Sequence, residues 1–319
     1  MHSHQSIAGA KVLLIALVLS LCAISTAKSE DIINVDTSGV APQYRYAFDQ
    51  AEAFWDKHLI GYSRLLPRFV RRQLGDINIV ATTPLIDGPG GILGSAAPTR
   101  TVDFAGGTYD KFGYRRSISI SQEGIMNFDI ADLPALQQSG DLVDVVMHEM
   151  AHALGYGSLW DQNSLLGTID DVTQYRYDGY ALARYRQESG VTSATYVPIE
   201  QDGGGGTALA HLDDDDPFFN QTTTTGRAEL MLGFLMPAEQ FVSQTSFGIF
   251  ADLWFVVDGV NNGEQDTPRG GGRRRPKTWG GYPGWLPLRS GGITAVPEPG
   301  SLAILAIAAV GIGVIRRRR

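Results

Sequence analysis

Between Pro42 and Ile60 the residues Tyr44, Ala47, Phe48, Ala51, Phe54, Trp55 and Leu59 recur at intervals of three and four, the spacing that gives a helix one apolar face. That face is read as core. The period then changes. Asp76–Ala81 alternates apolar with polar, as do Ser117–Ser121 and Ile125–Ile130, and Ile92–Pro98 reads as a further short strand after the turn-rich Gly88-Pro89-Gly90-Gly91. Farther on, Val145-Val146-Met147 leads into a second helix with Asp141 as N-cap, Asp144 in its first turn and Gly155 as C′ residue. Tyr175–Glu188 reads as helix and Thr195–Ile199 as strand, while Asp213–Asp216 and Thr222–Thr225 read as low-complexity loops. Strands followed by such a helix predict an α+β fold, a sheet packed on two helices with one edge strand free to pair an extended peptide. The pattern does not say which strand is the edge.

The two ends follow other rules. Lys11, the apolar run Val12–Ile24 and the small residues Ser25-Thr26-Ala27 read as a secretory signal over residues 1–27. The run is shorter than the ~20 residues needed to span a bilayer. The only cysteine, Cys22, lies inside it, and bulky Leu21 before that cysteine argues against lipidation. Once the signal is removed the chain has no thiol, hence no disulfide and no cysteine to mask a metal. At the other end, Val296-Pro297-Glu298-Pro299-Gly300 precedes the apolar run Leu302–Ile315 and then Arg316–Arg319, a short hydrophobic anchor with a basic stop. Residues 261–295, with Gly270–Gly272, Arg273–Arg275, Trp279 and Trp285, read as a Gly/Arg-rich linker, with a basic patch for anionic polysaccharide as the alternative. Residues 28–260 carry 15 Lys and Arg against 31 Asp and Glu, an acidic balance that argues against nucleic acid as a partner.

The chemistry converges on His148-Glu149-Met150-Ala151-His152-Ala153-Leu154-Gly155. Helix positions four apart share a face, so His148 and His152 can present imidazole nitrogens to one Zn²⁺ while Glu149 stands beside its water. Two protein ligands are too few for a catalytic zinc, and a compact third histidine is missing because that position holds Ser158. The remaining imidazoles are His58, His211, and His2 and His4 in the signal. With three neutral ligands the ion would keep an open position for water, whose pKa falls toward ~7. Glu149 would take that proton as general base and pass it to the leaving amine. Asp213–Asp216 read as a solvated loop, with Ca²⁺ binding as the sharper alternative, since hard oxygens are present without a spaced loop motif.

These residues resemble the leishmanolysin-like metzincin metallopeptidases in a bacterial form. The matching positions are His148, Glu149, His152 and Gly155, then His211, then Glu229-Leu230-Met231, with Ser246–Trp254 similar to the closing helix and Gly88–Gly94 and Met126–Asp129 also similar. The resemblance implies His211 as third zinc ligand, Met231 as the Met-turn floor, and a metzincin-like zincin fold. In that fold a twisted mixed sheet carries a backing helix and an active-site helix, and a C-terminal lobe bears the third ligand, the Met-turn and the closing helix. There are departures: Leu212 stands where a tryptophan often follows the third histidine, the span from His211 to Met231 is long, and the eukaryotic cysteine framework is absent. The order Pro-Glu-Pro, apolar run, basic cluster resembles the PEP-CTERM sorting signal of Gram-negative bacteria. It implies an exosortase-type partner, only transient membrane contact through the tail, and export to the cell surface or beyond. The expected organisation is signal 1–27, zinc metallopeptidase domain 28–260, linker 261–295 and sorting signal 296–319. The expected function is an exported zinc endopeptidase acting on protein or peptide. The alternative is a non-catalytic surface or matrix protein on the same scaffold, which intact Glu149 disfavours.

Overall fold

Alternation buries Ile77, Ile79 and Ala81 on one face of a strand and leaves Val80 exposed on the other. The same one-sided burial organises the whole sheet. The computed structural model describes residues 31–261 and 313–317. The expected signal (1–27), the linker beyond Asn261 and the sorting segment other than Gly313–Arg317 lie outside the described residues.

The first half of the chain runs β1 (Ile33–Gly39), α1 (Arg45–His58), β2 (Leu59–Tyr62), α2 (Arg68–Arg71), β3 (Ile77–Thr82), β4 (Ile92–Tyr109) and β5 (Arg115–Phe128). Next come α3 (Leu133–Ser139), α4 (Leu142–Ala153), the hairpin β6 (Leu166–Ile169) and β7 (Val172–Tyr175), and α5 (Tyr180–Ser189). Then follow β8 (Asn220–Gln221), β9 (Arg227–Glu229), β10 (Phe234–Leu235), β11 (Glu239–Phe241), α6 (Gln244–Asp252), β12 (Phe255–Val257) and β13 (Gly313–Arg317). Among the described residues the largest sheet has the order β1-β3-β5-β4-β13-β10. It is mixed: β1, β3 and β5 are parallel, whereas β4 runs antiparallel to both β5 and β13. The protein is thus α+β with a twisted mixed sheet.

Helices α1 and α4 lie side by side on the buried face, joined where Trp55 Nε1–H donates to the Met147 carbonyl at 3.1 Å. Phe48, Ala51 and Trp55 are fully buried in the core cluster that also holds Val145, Val146 and Met150. The sequence places α1 correctly, and His58 is its last residue. Its ring stacks on Phe247 of α6 at 4.8 Å, and its Nδ1 lies 2.8 Å from the Phe54 carbonyl. Strand β12 pairs antiparallel with β2, which ties the segment after α6 back to the end of α1.

Several local expectations are corrected. The runs at Ser117 and Ile125 are one strand, β5, and its partner β4 extends well past Pro98 to Tyr109. Gln122-Glu123-Gly124 reads as a break, but Gly124 is needed where the sheet meets the helix: a Cβ there would stand 3.0 Å from Ala153 Cβ. Ile130 lies outside the strand and is exposed. Tyr175 ends the strand β7 rather than starting a helix, and α5 starts only at Tyr180. Thr195–Ile199 makes only isolated bridges, Val197 to Tyr175 and Ile199 to Leu212. Asp141 stands at the N-cap of α4 without a capping side-chain bond, because its carboxylate instead accepts from Ser139 Oγ at 2.7 Å.

A second, smaller cluster of Leu66, Val70, Val102, Ile118, Ile120 and Trp254 covers the far part of the β4–β5 ribbon. Beside it Arg116 is sandwiched between the rings of Tyr177 and Trp254, 4.2 and 4.4 Å from their centroids, and its Nε donates to Asp110 at 3.1 Å. No helix among the described residues is long and apolar enough to cross a membrane.

Candidate metal centre

Helix α4 is apolar on nearly every side, and all of its last six residues, His148–Ala153, are buried. Such a helix can carry polar groups only where each finds a partner. It stops at Gly155, whose φ of +116° lies in the region that glycine favours. The chain then bends back, so that Tyr156 offers its carbonyl to His152 Nδ1 at 2.8 Å. Gly157, also at positive φ, meets the loop carrying His211: a Cβ on it would lie 2.2 Å from the Ala210 carbonyl oxygen. That contact brings His211 to α4 across the long insertion. Gly233 approaches the same loop, where a Cβ would meet Thr207 Cγ2 at 2.4 Å.

The three imidazoles converge. Their Nε2 atoms are 3.0 Å apart for His148 and His152, 3.1 Å for His148 and His211, and 2.9 Å for His152 and His211. Each Nδ1 faces a backbone carbonyl, at 2.7 Å to Leu230 for His148, 2.8 Å to Tyr156 for His152 and 2.8 Å to Thr207 for His211. A carbonyl only accepts, so each Nδ1 must carry the proton and each Nε2 presents a lone pair. Three lone pairs about 3 Å from one another cannot hydrogen-bond among themselves and are arranged so that they could hold a metal ion. Burial, and then the neighbouring imidazoles, hold His148 and His211 well below the usual imidazole value, and burial brings His152 down to about 4. The three imidazoles are therefore neutral.

Glu149 is also fully buried, and burial pushes its carboxyl well above the usual range, against the N–H of Ile315 that it accepts at 3.3 Å. Among the described residues its Oε2 has no hydrogen-bond partner. Gly94 of β4 leaves room for it, since a Cβ there would stand 2.9 Å from Glu149 Cγ. Met231 is fully buried. Its N–H donates to Glu229 Oε2, and Glu229 Oε1 accepts from Ser246 Oγ at 2.6 Å and from the N–H and Oγ of Ser243, both at 3.1 Å. Glu229 thereby ties the turn that supplies the Leu230 carbonyl to the start of α6. Sequence reasoning picked out the histidines, Glu149 and Met231, and reached Gly94 only as part of the Gly88–Gly94 run; it missed Gly157, Thr207 and the structural task of Glu229. The glycine-rich punctuation was visible, but its partners are not local. His58 joins none of these groups.

The loop of four aspartates divides. Asp216 is structural, accepting from Tyr185 Oη at 2.7 Å and from the Phe218 N–H at 2.9 Å. Asp213 and Asp214 instead meet Glu200, with one carboxylate oxygen from each within 4.8 Å of the others. Glu200 is 4 % exposed, and its Oε2 has no hydrogen-bond partner among the described residues.

Residues 119–261 match the family described as leishmanolysin, and residues 295–319 match the PEP-CTERM protein-sorting motif. The leishmanolysin of Leishmania chagasi is 29% identical over 139 residues, which is 41% of this chain and 21% of that protein. The leishmanolysin of Leishmania major is 29% identical over 96 residues (28% and 16%), and that of Leishmania donovani 27% over 151 residues (44% and 23%). The chain spans about a fifth of the length of the curated relatives it matches.

Proposed function

We propose that this leishmanolysin-like chain, with its PEP-CTERM motif, is an exported zinc endopeptidase. The observation that carries the reading is the convergence of three buried Nε2 lone pairs beside the buried carboxyl of Glu149. Zinc held by His148, His152 and His211 would supply a Lewis acid and an activated water. Glu149 takes the proton of the attacking water and hands it to the leaving amine. Leu230, Tyr156 and Thr207 fix the imidazole tautomers through their carbonyls. Met231 lines the floor as the Met-turn residue, and the fold is metzincin-like, with the closing helix at α6. The substrate is a protein or peptide, since β4 beside the site would offer its backbone groups to an extended chain in the place where β13 pairs with it.

The catalytic unit is residues 28–260, preceded by a signal over 1–27 and followed by a linker (261–295) and a sorting segment (296–319). The sorting motif implies processing by an exosortase-type enzyme and export in a Gram-negative bacterium, with the product held at the cell surface or released outside. The intact mass of the exported protein tests both ends: loss of residues 1–27 and of the tail after Pro299 is expected. Glu200, Asp213 and Asp214 form the better candidate for a hard cation than the four-aspartate run, because of the unsatisfied Glu200 oxygen. Ca²⁺ should raise the thermal midpoint of the chain but not of Glu200→Gln, and an equal response in both would remove this site.

The peptidase reading is tested on casein. Glu149→Ala should keep its zinc and lose hydrolysis by about 10²–10⁴-fold or more. Turnover near that of the unaltered protein would take Glu149 out of the mechanism. Casein left intact by the unaltered, zinc-loaded protein in every processed form would favour the non-catalytic scaffold.

A further inference from the structure

The sheet edge nearest the metal centre already has an occupant. Strand β13 lies between β4 and β10, antiparallel to β4 with Gly313 opposite Ala96, Val314 opposite Ser95 and Ile315 opposite Gly94. It is parallel to β10, with Arg316 opposite Phe234. Ile315 N–H donates to Glu149 Oε1 at 3.3 Å, and Val314 N–H donates to the Gly206 carbonyl at 2.9 Å. Gly313 presses on the ring of His152, where a Cβ would come within 2.0 Å of Cγ, so no other residue fits that position. Ile315 is 2 % exposed and packs with the main core. These five residues therefore cover both the base and one of the histidines.

We propose that Gly313–Arg317 is a built-in blocking strand, which fills the substrate groove and keeps the enzyme latent until the C-terminal tail is withdrawn or cut off. The role of the groove rests on the peptidase reading; the docking of the strand does not. Without β13, β4 would be an unpaired edge, and such an edge recruits extended backbone. A tethered strand does so at an effective concentration on the order of millimolar, above ordinary substrate levels. Charge favours the same partner: residues 28–260 hold 31 acidic against 15 basic residues, and the last four residues of the chain are arginines. The apolar tail thus has two tasks, sorting and masking, and one cleavage ends both. A peptidase so arranged stays silent until its tail is removed.

The test uses the full chain carrying Cys22→Ser, so that introduced thiols are the only ones. The pair Ser95→Cys with Val314→Cys, opposite one another in the register, should form a disulfide under mild oxidation, mapped by mass spectrometry. The displaced pair Thr101→Cys with Val314→Cys, six residues along β4 from that register, should not. In a second arm, Gly313→Leu should eject the strand from His152 and raise peptide hydrolysis by about tenfold or more over the unaltered full chain, as expected from removing a competitor at millimolar effective concentration. Free thiols in the first pair, or equal hydrolysis with and without Gly313→Leu, would overturn the blocking strand and leave the peptidase reading standing. A disulfide together with no hydrolysis by either protein would sink the peptidase reading, and inhibition with it, on a separate observable.

Discussion

Gly94 on β4 gives up its Cβ position to Glu149 on α4: a methyl group there would stand 2.9 Å from Glu149 Cγ and 2.9 Å from its Oε1. The strand and the Glu149 carboxylate are thus one fitted unit, and the fit makes a prediction. Gly94→Ala should displace the carboxylate without touching any histidine. Zinc content should stay unchanged while turnover falls about 10- to 100-fold, the usual cost of a misplaced catalytic group. Loss of zinc together with turnover would mean that the strand supports the imidazoles instead.

Arg116 and Asp110 form a buried ion pair, each side chain 4 % exposed, with Arg116 between two aromatic rings. Arg116→Ala strands the Asp110 carboxylate with Tyr177 Oη and one backbone N–H. Removing one partner of such a pair costs about 3–5 kcal/mol. Urea unfolding should show that loss, and Arg116→Met with Asp110→Asn should recover much of it. A cost under 1 kcal/mol on the order of a surface pair would contradict the assignment.

Burial, then the charges of Asp56, Asp49 and Asp31, raise the Glu52 carboxyl on α1 to about 7 from an ordinary 4.5. A group that binds its proton more tightly when folded stabilises fully below its unfolded pKa, and that contribution is lost as pH rises through the folded value. The thermal midpoint should therefore decline between pH about 4.5 and 7 for this reason. Asp144, raised to about 6 by burial and Asp141, acts in the same direction. Glu52→Gln should gain on the unaltered protein progressively across that window and hold the gain above it. A difference independent of pH would exclude Glu52 as the source.

What the sequence made legible is what local spacing encodes. Helical spacing at Tyr44–Leu59 and the four-residue interval of His148 and His152 both become buried helix faces. Legibility fails where a residue answers to a distant partner. Gly124 looks like a strand break and is a helix contact. Thr195–Ile199 alternates like a strand but finds only single bridges to Tyr175 and Leu212. Asp141 has the right type for a cap and spends its carboxylate on Ser139. Residues 313–317 read as anchor and basic stop, because nothing in their own composition reveals that they pair with β4. The site divides along the same line: the helix motif is local, whereas the approach of His211 depends on Gly157 meeting Ala210, 53 positions away.

The central claim is that His148, His152 and His211 hold one zinc, and metal content measures it most directly. The purified full chain should carry about one zinc per molecule. His58→Ala should carry the same, since that ring stacks on Phe247 and joins no cluster. His211→Ala should lose zinc at concentrations that saturate the unaltered protein. Zinc retained by His211→Ala with unchanged stoichiometry and affinity would contradict the account.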